Sequence, residues 1–270
     1  MYKKTFAAVL LLPASAAAQG TPDAGFARKS VGTVRTESPP LIDGKLDDPA
    51  WAQAAIIDDF LQIRPGDGSP PSERTELYLM YDKDALYIAA RLWDRGAPHE
   101  ITRNVLKQGN TLAEEDRLAV VLDPFNTGRN GYRFEVNANG VRNDMLYVNN
   151  QLQSEWTVIW EAASDVGEGS WSVEMAIPFK TLPFDPAVDS WGFNASRAIR
   201  RRGEESLWVS RNRTWNPSIL GVATGLTGLD KGRGLDIVPG FSVTERRNYA
   251  LGSEAHVGDP SLDLYYRFTP

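Results

Sequence analysis

Carboxylates are the groups best supplied for chemistry in this chain, and their settings decide which chemistry is open to them. Cleavage of a glycosidic bond needs two carboxyl groups about 5 to 10 Å apart across a cleft. Glu114, Glu115 and Asp116, or Glu161 with Glu174, are the available candidates. Glu174, however, alternates with apolar residues in Ser172-Val173-Glu174-Met175-Ala176-Ile177, as one position of a strand does, and Glu114 to Asp116 open another strand after a loop. With only His99 and His256, no cysteine and no Gly-x-Ser-x-Gly elbow, nucleophilic hydrolysis lacks its parts. The expectation is a chain that is not an enzyme. A second use of carboxylates is cation binding. Acidic residues recur in turns at Asp43, Asp47, Asp48, Asp82, Asp84, Asp94, Asp116 and Asp123. Oxygen-rich loops suit calcium, which takes about 6 to 8 oxygen ligands, and Asp43, Asp47, Asp82 and Asp84 are the candidate ligands of a structural ion. The competing expectation is that each aspartate caps its own turn.

The elements that carry these residues read as short strands. Glu76 to Tyr81 and Ala85 to Trp93 are aliphatic and aromatic, joined by the hairpin-length break Asp82-Lys83-Asp84. Leu118 to Leu122 is a continuous apolar run, as expected of a strand covered on both faces. Tyr132 to Val136, Met145 to Asn149, Ile159 to Ala163, Ser170 to Ile177, Gly192 to Ile199 and Leu207 to Ser210 continue the series at regular spacing. Ala50 to Ala55 predicts a helical turn, and Glu100 to Lys107 the clearest helix. Arg200-Arg201-Arg202-Gly203-Glu204-Glu205 reads as a hairpin tip whose charges face each other across the turn. Many short strands with Gly, Asn, Asp and Pro between them predict an all-β sandwich or barrel.

The first residues carry Lys3 and Lys4, an apolar run from Phe6 to Leu12, and the small-residue stretch Ala14 to Ala18. This is the pattern of a secretory signal peptide cleaved after Ala18, and the apolar run is too short to span a bilayer. Residues 1–18 are therefore expected to be removed and the chain to be exported, to the periplasm or outer membrane. Without cysteine, an exported chain of this size must rely on its core, for which 42% apolar composition and eight tryptophans suffice. A net charge of −6 argues against nucleic acid as a partner. Residues 19–38 lack a hydrophobic period and read as a linker that pairs at most loosely with the domain. After Gly221 glycines become frequent, and Leu235, Ile237, Phe241 and Val243, then Leu262, Leu264, Tyr266 and Phe268, alternate with other residues. Alternation with aromatic ends fits strands of an outer-membrane barrel or, equally, ordinary surface hairpins.

The stretch Ile42-Asp43-Gly44-Lys45-Leu46-Asp47-Asp48-Pro49-Ala50-Trp51 resembles the opening motif of the family 9 carbohydrate-binding modules. Tyr81 to Ile88, Glu114 to Leu118 and Ser172 to Phe179 continue the resemblance, which runs over 39–229. Leu122-Asp123-Pro124-Phe125-Asn126, Asn130-Gly131-Tyr132, Val158 to Ala163, and Trp191 to Asn194 with Arg197 and Arg200-Arg201 are similar to a subgroup in which the module precedes a bacterial outer-membrane β-barrel. The resemblance implies that residues 230–270 are the truncated start of that second domain. It also implies that a sugar is clamped between two tryptophans, because the apolar face of a pyranose stacks on an indole while its hydroxyls meet a few polar groups. Trp215 matches the second tryptophan, with Asn212 and Asn216 beside it. Ala113 stands where the first is expected, and Ala119 and Glu135 stand where a Glu and an Arg are expected. The resemblance thus implies carbohydrate recognition, with structural calcium as the family's frequent companion. The competing expectations are a docking or plug domain of the barrel that binds no sugar, and an accessory part of a glycoside hydrolase.

Overall fold

The computed structural model describes residues 28–211, 213–214, 216–231, 235–248 and 253–266. The expected leader, 1–18, lies outside the described residues. Among the described residues seventeen strands follow one another, with short 3-10 segments as the helical structure between them. They are β1 (Ser30–Gly32), β2 (Val34–Arg35), β3 (Ala55–Ile57), β4 (Leu61–Arg64), β5 (Thr75–Tyr81), β6 (Ala85–Trp93), β7 (Arg117–Asp123), β8 (Gly131–Asn137) and β9 (Arg142–Val148). The second half of the chain adds β10 (Gln151–Gln153), β11 (Glu161–Gly167), β12 (Ser170–Pro178), β13 (Ser190–Ile199), β14 (Glu204–Leu207), β15 (Gly221–Thr224), β16 (Leu235–Asn248) and β17 (Ser253–Tyr266).

Two sheets form the sandwich. The first runs β1-β15-β13-β7-β8-β9-β10, with β14 pairing β13 and β4 pairing β14; the second runs β11-β12-β6-β5-β2, with β3 on β5. The period of two predicted for the strands decides what lies between them. Leu118, Val120 and Leu122 of β7, Phe134 and Val136 of β8, and Trp191, Phe193 and Ala195 of β13 form one core cluster with residues of the facing sheet. Those are Leu77 and Leu79 of β5, Ile88, Ala90 and Leu92 of β6, and Trp171, Val173, Met175 and Ile177 of β12. Burying an aliphatic side chain of this size contributes about 1.5 to 3 kcal/mol, so this layer is the main source of stability in a chain without cross-links.

The sandwich is antiparallel except at one pair of edges. β1 pairs β15 in parallel and β2 pairs β5 in parallel. Residues 30–35, assigned above to a linker, thus add an edge strand to each sheet, and Thr33 N–H bonds Thr224 O at 2.8 Å between them. The helix expected over Glu100 to Lys107 does not form. Pro98–Glu100 makes one 3-10 turn and residues 102–106 are irregular. The backbone donors of this segment find side-chain acceptors instead, Thr102 N on Asp116 at 3.2 Å and Val105 N on Glu115 at 3.2 Å. The Arg200 to Glu205 turn is likewise not closed by its own charges. Arg201 grips Asp94 at 2.5 Å, Arg202 reaches Glu73 at 2.6 Å, and Arg200 pairs Glu114.

Candidate functional site

The outer face of the first sheet, turned away from the core, carries an unusual set of side chains for a strand surface. The β7–β8 and β7–β13 registers set Ala119 opposite Glu135 and Ser196, and Val121 opposite Arg133 and Asn194. β14 extends this face with Glu205, opposite Ala198. Arg117, Glu135 and Glu205 are nevertheless buried, at 7%, 3% and 3% exposure. Burial of a charge is tolerated only when it is paired, and here the pairs form a belt across four strands. Arg64 pairs Glu205, Arg117 lies 3.5 Å from Glu205 and 3.4 Å from Glu135, and Glu135 pairs Arg133. Arg117 Nη1 also donates to the carbonyls of Leu112 and Ala113 at 3.1 and 3.0 Å, which anchors the loop that holds Ala113 to this face. Ala113 itself is exposed.

The opposite rim is held by Asn194. Its carboxamide donates to Val209 O at 2.7 Å and accepts from Val209 N at 2.9 Å, in the manner of a strand neighbour, and so fixes where the 211–216 segment starts. Arg213 lies 3.4 Å from Asp67 and ties that segment to the loop after β4. Trp215 and Asn212 lie outside the described residues. Asn216 is described and occupied: its Oδ1 accepts from Ser218 N at 3.1 Å and from Ser218 Oγ at 2.6 Å, capping the turn Pro217–Ile219. Within the belt, Arg117 Nε lies 3.4 Å from Glu135 and Glu205 Oε1 lies 3.5 Å from Arg117 Nη2, both at ion-pair distance, and Ser196 Oγ is buried without a hydrogen-bond partner among the described residues. Arg117, Asn194 and Glu205 were not singled out from the sequence. The signal that finds them is the polar alternation of Arg133-Phe134-Glu135-Val136-Asn137 beside an arginine that heads the apolar run Leu118 to Leu122.

Among the nominated catalytic carboxylates, Glu174 and Asp116 are engaged structurally. Glu174 accepts from Asp43 N at 3.0 Å, Gly44 N at 2.8 Å and Trp51 Nε1 at 2.7 Å, and so docks the opening motif on β12. Burial pushes its carboxyl up, against the pull of those donors. Asp116 is pushed up by burial too, while accepting from Arg200 N at 2.5 Å. The four candidate metal ligands fall in two separate turns. Asp43 accepts from Lys45 N at 2.9 Å, Asp82 from Asp84 N and Ala85 N at 2.7 and 2.8 Å, and Asp84 pairs Lys83 at 2.7 Å. Among the described residues no group of three or more His, Cys, Asp or Glu side chains is placed to hold a metal ion. A cavity of about 440 Å³ lies elsewhere, on the outer side of the second sheet, lined by Leu41, Ala85, Tyr87, Glu161, Ala176 and Lys180.

A two-layer sandwich with one polar outer face framed by loops defines a ligand-recognition module. A profile of the carbohydrate family 9 binding domain-like family matches residues 42–208, and the chain belongs to that family. The fold is similar to a family 9 carbohydrate binding module from Caldicellulosiruptor kristjanssonii solved with glucose. That match has 18% identity over 73% of this chain and 95% of that one, and a TM-score of 0.52. Its cellotriose complex matches at 19% identity, 75% and 95% coverage and a TM-score of 0.52. A candidate carbohydrate-binding protein from Bacteroides uniformis matches at 12% identity, 73% and 99% coverage and a TM-score of 0.59. No curated protein matches. At these identities the structural likeness is one of fold.

Proposed function

We propose that the chain is a non-catalytic carbohydrate-recognition module of an exported, envelope-associated protein, with the sugar taken on the outer face of the first sheet between Ala113 and the 211–216 segment. The observation that carries this reading is the polar outer face of the first sheet, with its Arg117–Glu135–Glu205 belt, on a fold shared with modules solved with glucose and cellotriose. Trp215 is the stacking face, and the leader Met1 to Ala18 is the basis for export. One indole supplies about 1 to 2 kcal/mol, so soluble oligosaccharides bind at millimolar strength or weaker. Calorimetry with glucans, xylans and cello-oligosaccharides tests this. Ala113→Trp should tighten binding by adding the second face, and Trp215→Ala should abolish it with little loss of stability.

A second reading, a docking domain that binds no sugar, is favoured by Ala113 and by the ion pairs that already occupy the floor. If Trp215→Ala unfolds the domain and none of the glycans releases heat, the docking reading replaces the first.

A further inference from the structure

Ionised groups on the outer face of the first sheet are unequal in sign. The belt runs Arg64, Glu205, Arg117, Glu135, Arg133, and so begins and ends with a guanidinium. Each carboxylate is held between two arginines, whereas Arg64, with 61% of its side chain exposed, has Glu205 on one side only. A positive end of the belt therefore opens to solvent. The registers of β4, β14, β13 and β7 set that end in the row of Arg117, whose guanidinium holds the carbonyls of Leu112 and Ala113.

Two segments frame this face. Residues 102–113 lie at one end, where Gly109 N bonds Arg142 O at 3.3 Å and Arg142 Nη2 donates to Gln108 Oε1 at 3.1 Å. Residues 209–220 lie at the other, where Leu220 packs with Val121 and Tyr147 and Ser218 N donates to Asn150 Oδ1 at 3.1 Å. Neither segment contains an aspartate or a glutamate, in a chain whose net charge is −6; between them they carry Arg103, Lys107, Arg211 and Arg213. The acids beside these rims are engaged. Glu114 pairs Arg200, and Asp67 lies 3.4 Å from Arg213. The buried Glu115 and Asp123 accept from backbone N–H groups, of Val105 at 3.2 Å and of Gly128 at 2.7 Å. Arg103 and Lys107 are exposed, and neither side chain has an ion-pair partner among the described residues.

A sugar hydroxyl both donates and accepts, so a site for a neutral sugar needs groups of both kinds. Guanidinium and ammonium groups only donate, a carboxylate only accepts, and the two meet in charge-assisted bonds. The charged groups left over on this face are donors without acceptors. We infer that the sugar taken here is acidic, a uronic-acid glycan whose carboxylates meet the Arg64 end of the belt and the basic rim at Arg103 and Lys107. The inference rests on the proposed sugar site and adds the class of sugar.

Calorimetry on the exported chain with three tetrasaccharides tests it: oligogalacturonate, its methyl ester and cellotetraose. The ester keeps the ring and length of the acid and removes its charge. The acid is expected to bind about tenfold tighter than the ester, and to lose that advantage in about 1 M salt, where charges are screened within about 3 Å. Arg103→Gln with Lys107→Gln, at exposed and unpaired positions, is expected to cut the advantage to about threefold or less. Acid binding no tighter than ester overturns the inference and leaves the sugar reading in place; silence from all three overturns both. An advantage undiminished in the double variant places the anion elsewhere, and a tetraglutamate peptide that binds as tightly as the acid shows charge read without sugar. Either result overturns the assignment.

Discussion

Glu174 shows how much one side chain organises. Three donors from the opening motif converge on its carboxylate, and the fourth participant is steric: Gly44 has φ +91°, and a β-carbon there would stand 2.6 Å from the backbone of Ser164. Asp43 was legible in the sequence as a turn residue, and Ala50 to Ala55 as a helical turn. Their anchor was not, because it lies 131 positions from Asp43 and local patterning carries no information over that distance. Glu174→Ala leaves three buried or half-buried donors unmatched and should lower stability by about 3 kcal/mol, read from the urea midpoint. Gly44→Ala must both strain the backbone and displace β11, so a loss of about 2 to 4 kcal/mol is expected. An unchanged midpoint in either variant would mean that the motif is not docked as described. The residues proposed to meet a sugar were the least legible of all, since Trp215 and its neighbours were assigned by position in a family pattern, whereas Arg117 and Glu205 meet only through the register of β7, β13 and β14.

At the scale of the element, strands were read well and the one long helix was not. A strand with one apolar face announces itself by alternation, as Trp171, Val173, Met175 and Ile177 of Ser170–Pro178 do, and one covered on both by an unbroken apolar run, as Leu118 to Leu122 does. Glu100 to Lys107 has helical composition, but its backbone donors are claimed by Asp116 and Glu115, and tertiary partners override a weak local preference. The turn after β13 makes the same point with charge. Burial works to raise the Asp94 carboxyl, but the Arg201 guanidinium, the Gly96 N–H and the charge of Arg197 outweigh it and hold Asp94 below the usual carboxylate range. Its folded value is thus depressed, so the stability it contributes is present above the unfolded value of about 3.9 and is lost as pH falls through the lower folded value. Asp94→Asn should lower the melting midpoint at pH 7 and flatten its decline below about pH 4. An acid limb as steep as that of the parent would place the loss elsewhere.

At the scale of the whole molecule, the sandwich is self-sufficient in its core and engages the carboxylates of Asp43, Asp82 and Asp84 within its own turns. A chelator is therefore expected to leave the melting midpoint unchanged, and a fall of several degrees would reveal a cation held by these loops. The all-β class was legible because composition and spacing repeat along the whole chain. The role of residues 30–35 was not, because an edge strand three residues long has no period to detect.

That edge has a kinetic meaning. β1 closes against β15, the last strand of the sandwich, and the flanking contact from Arg28 to Leu220 joins residues 192 positions apart. Contacts of such sequence separation form slowly, since a long loop must close before they are rewarded. The first strand to leave a ribosome or a translocation pore is then among the last to be seated, and the sandwich stays unfinished until residues 221–224 have emerged. Under the export proposed above, late closure would keep the polypeptide threadable for nearly the whole of its passage.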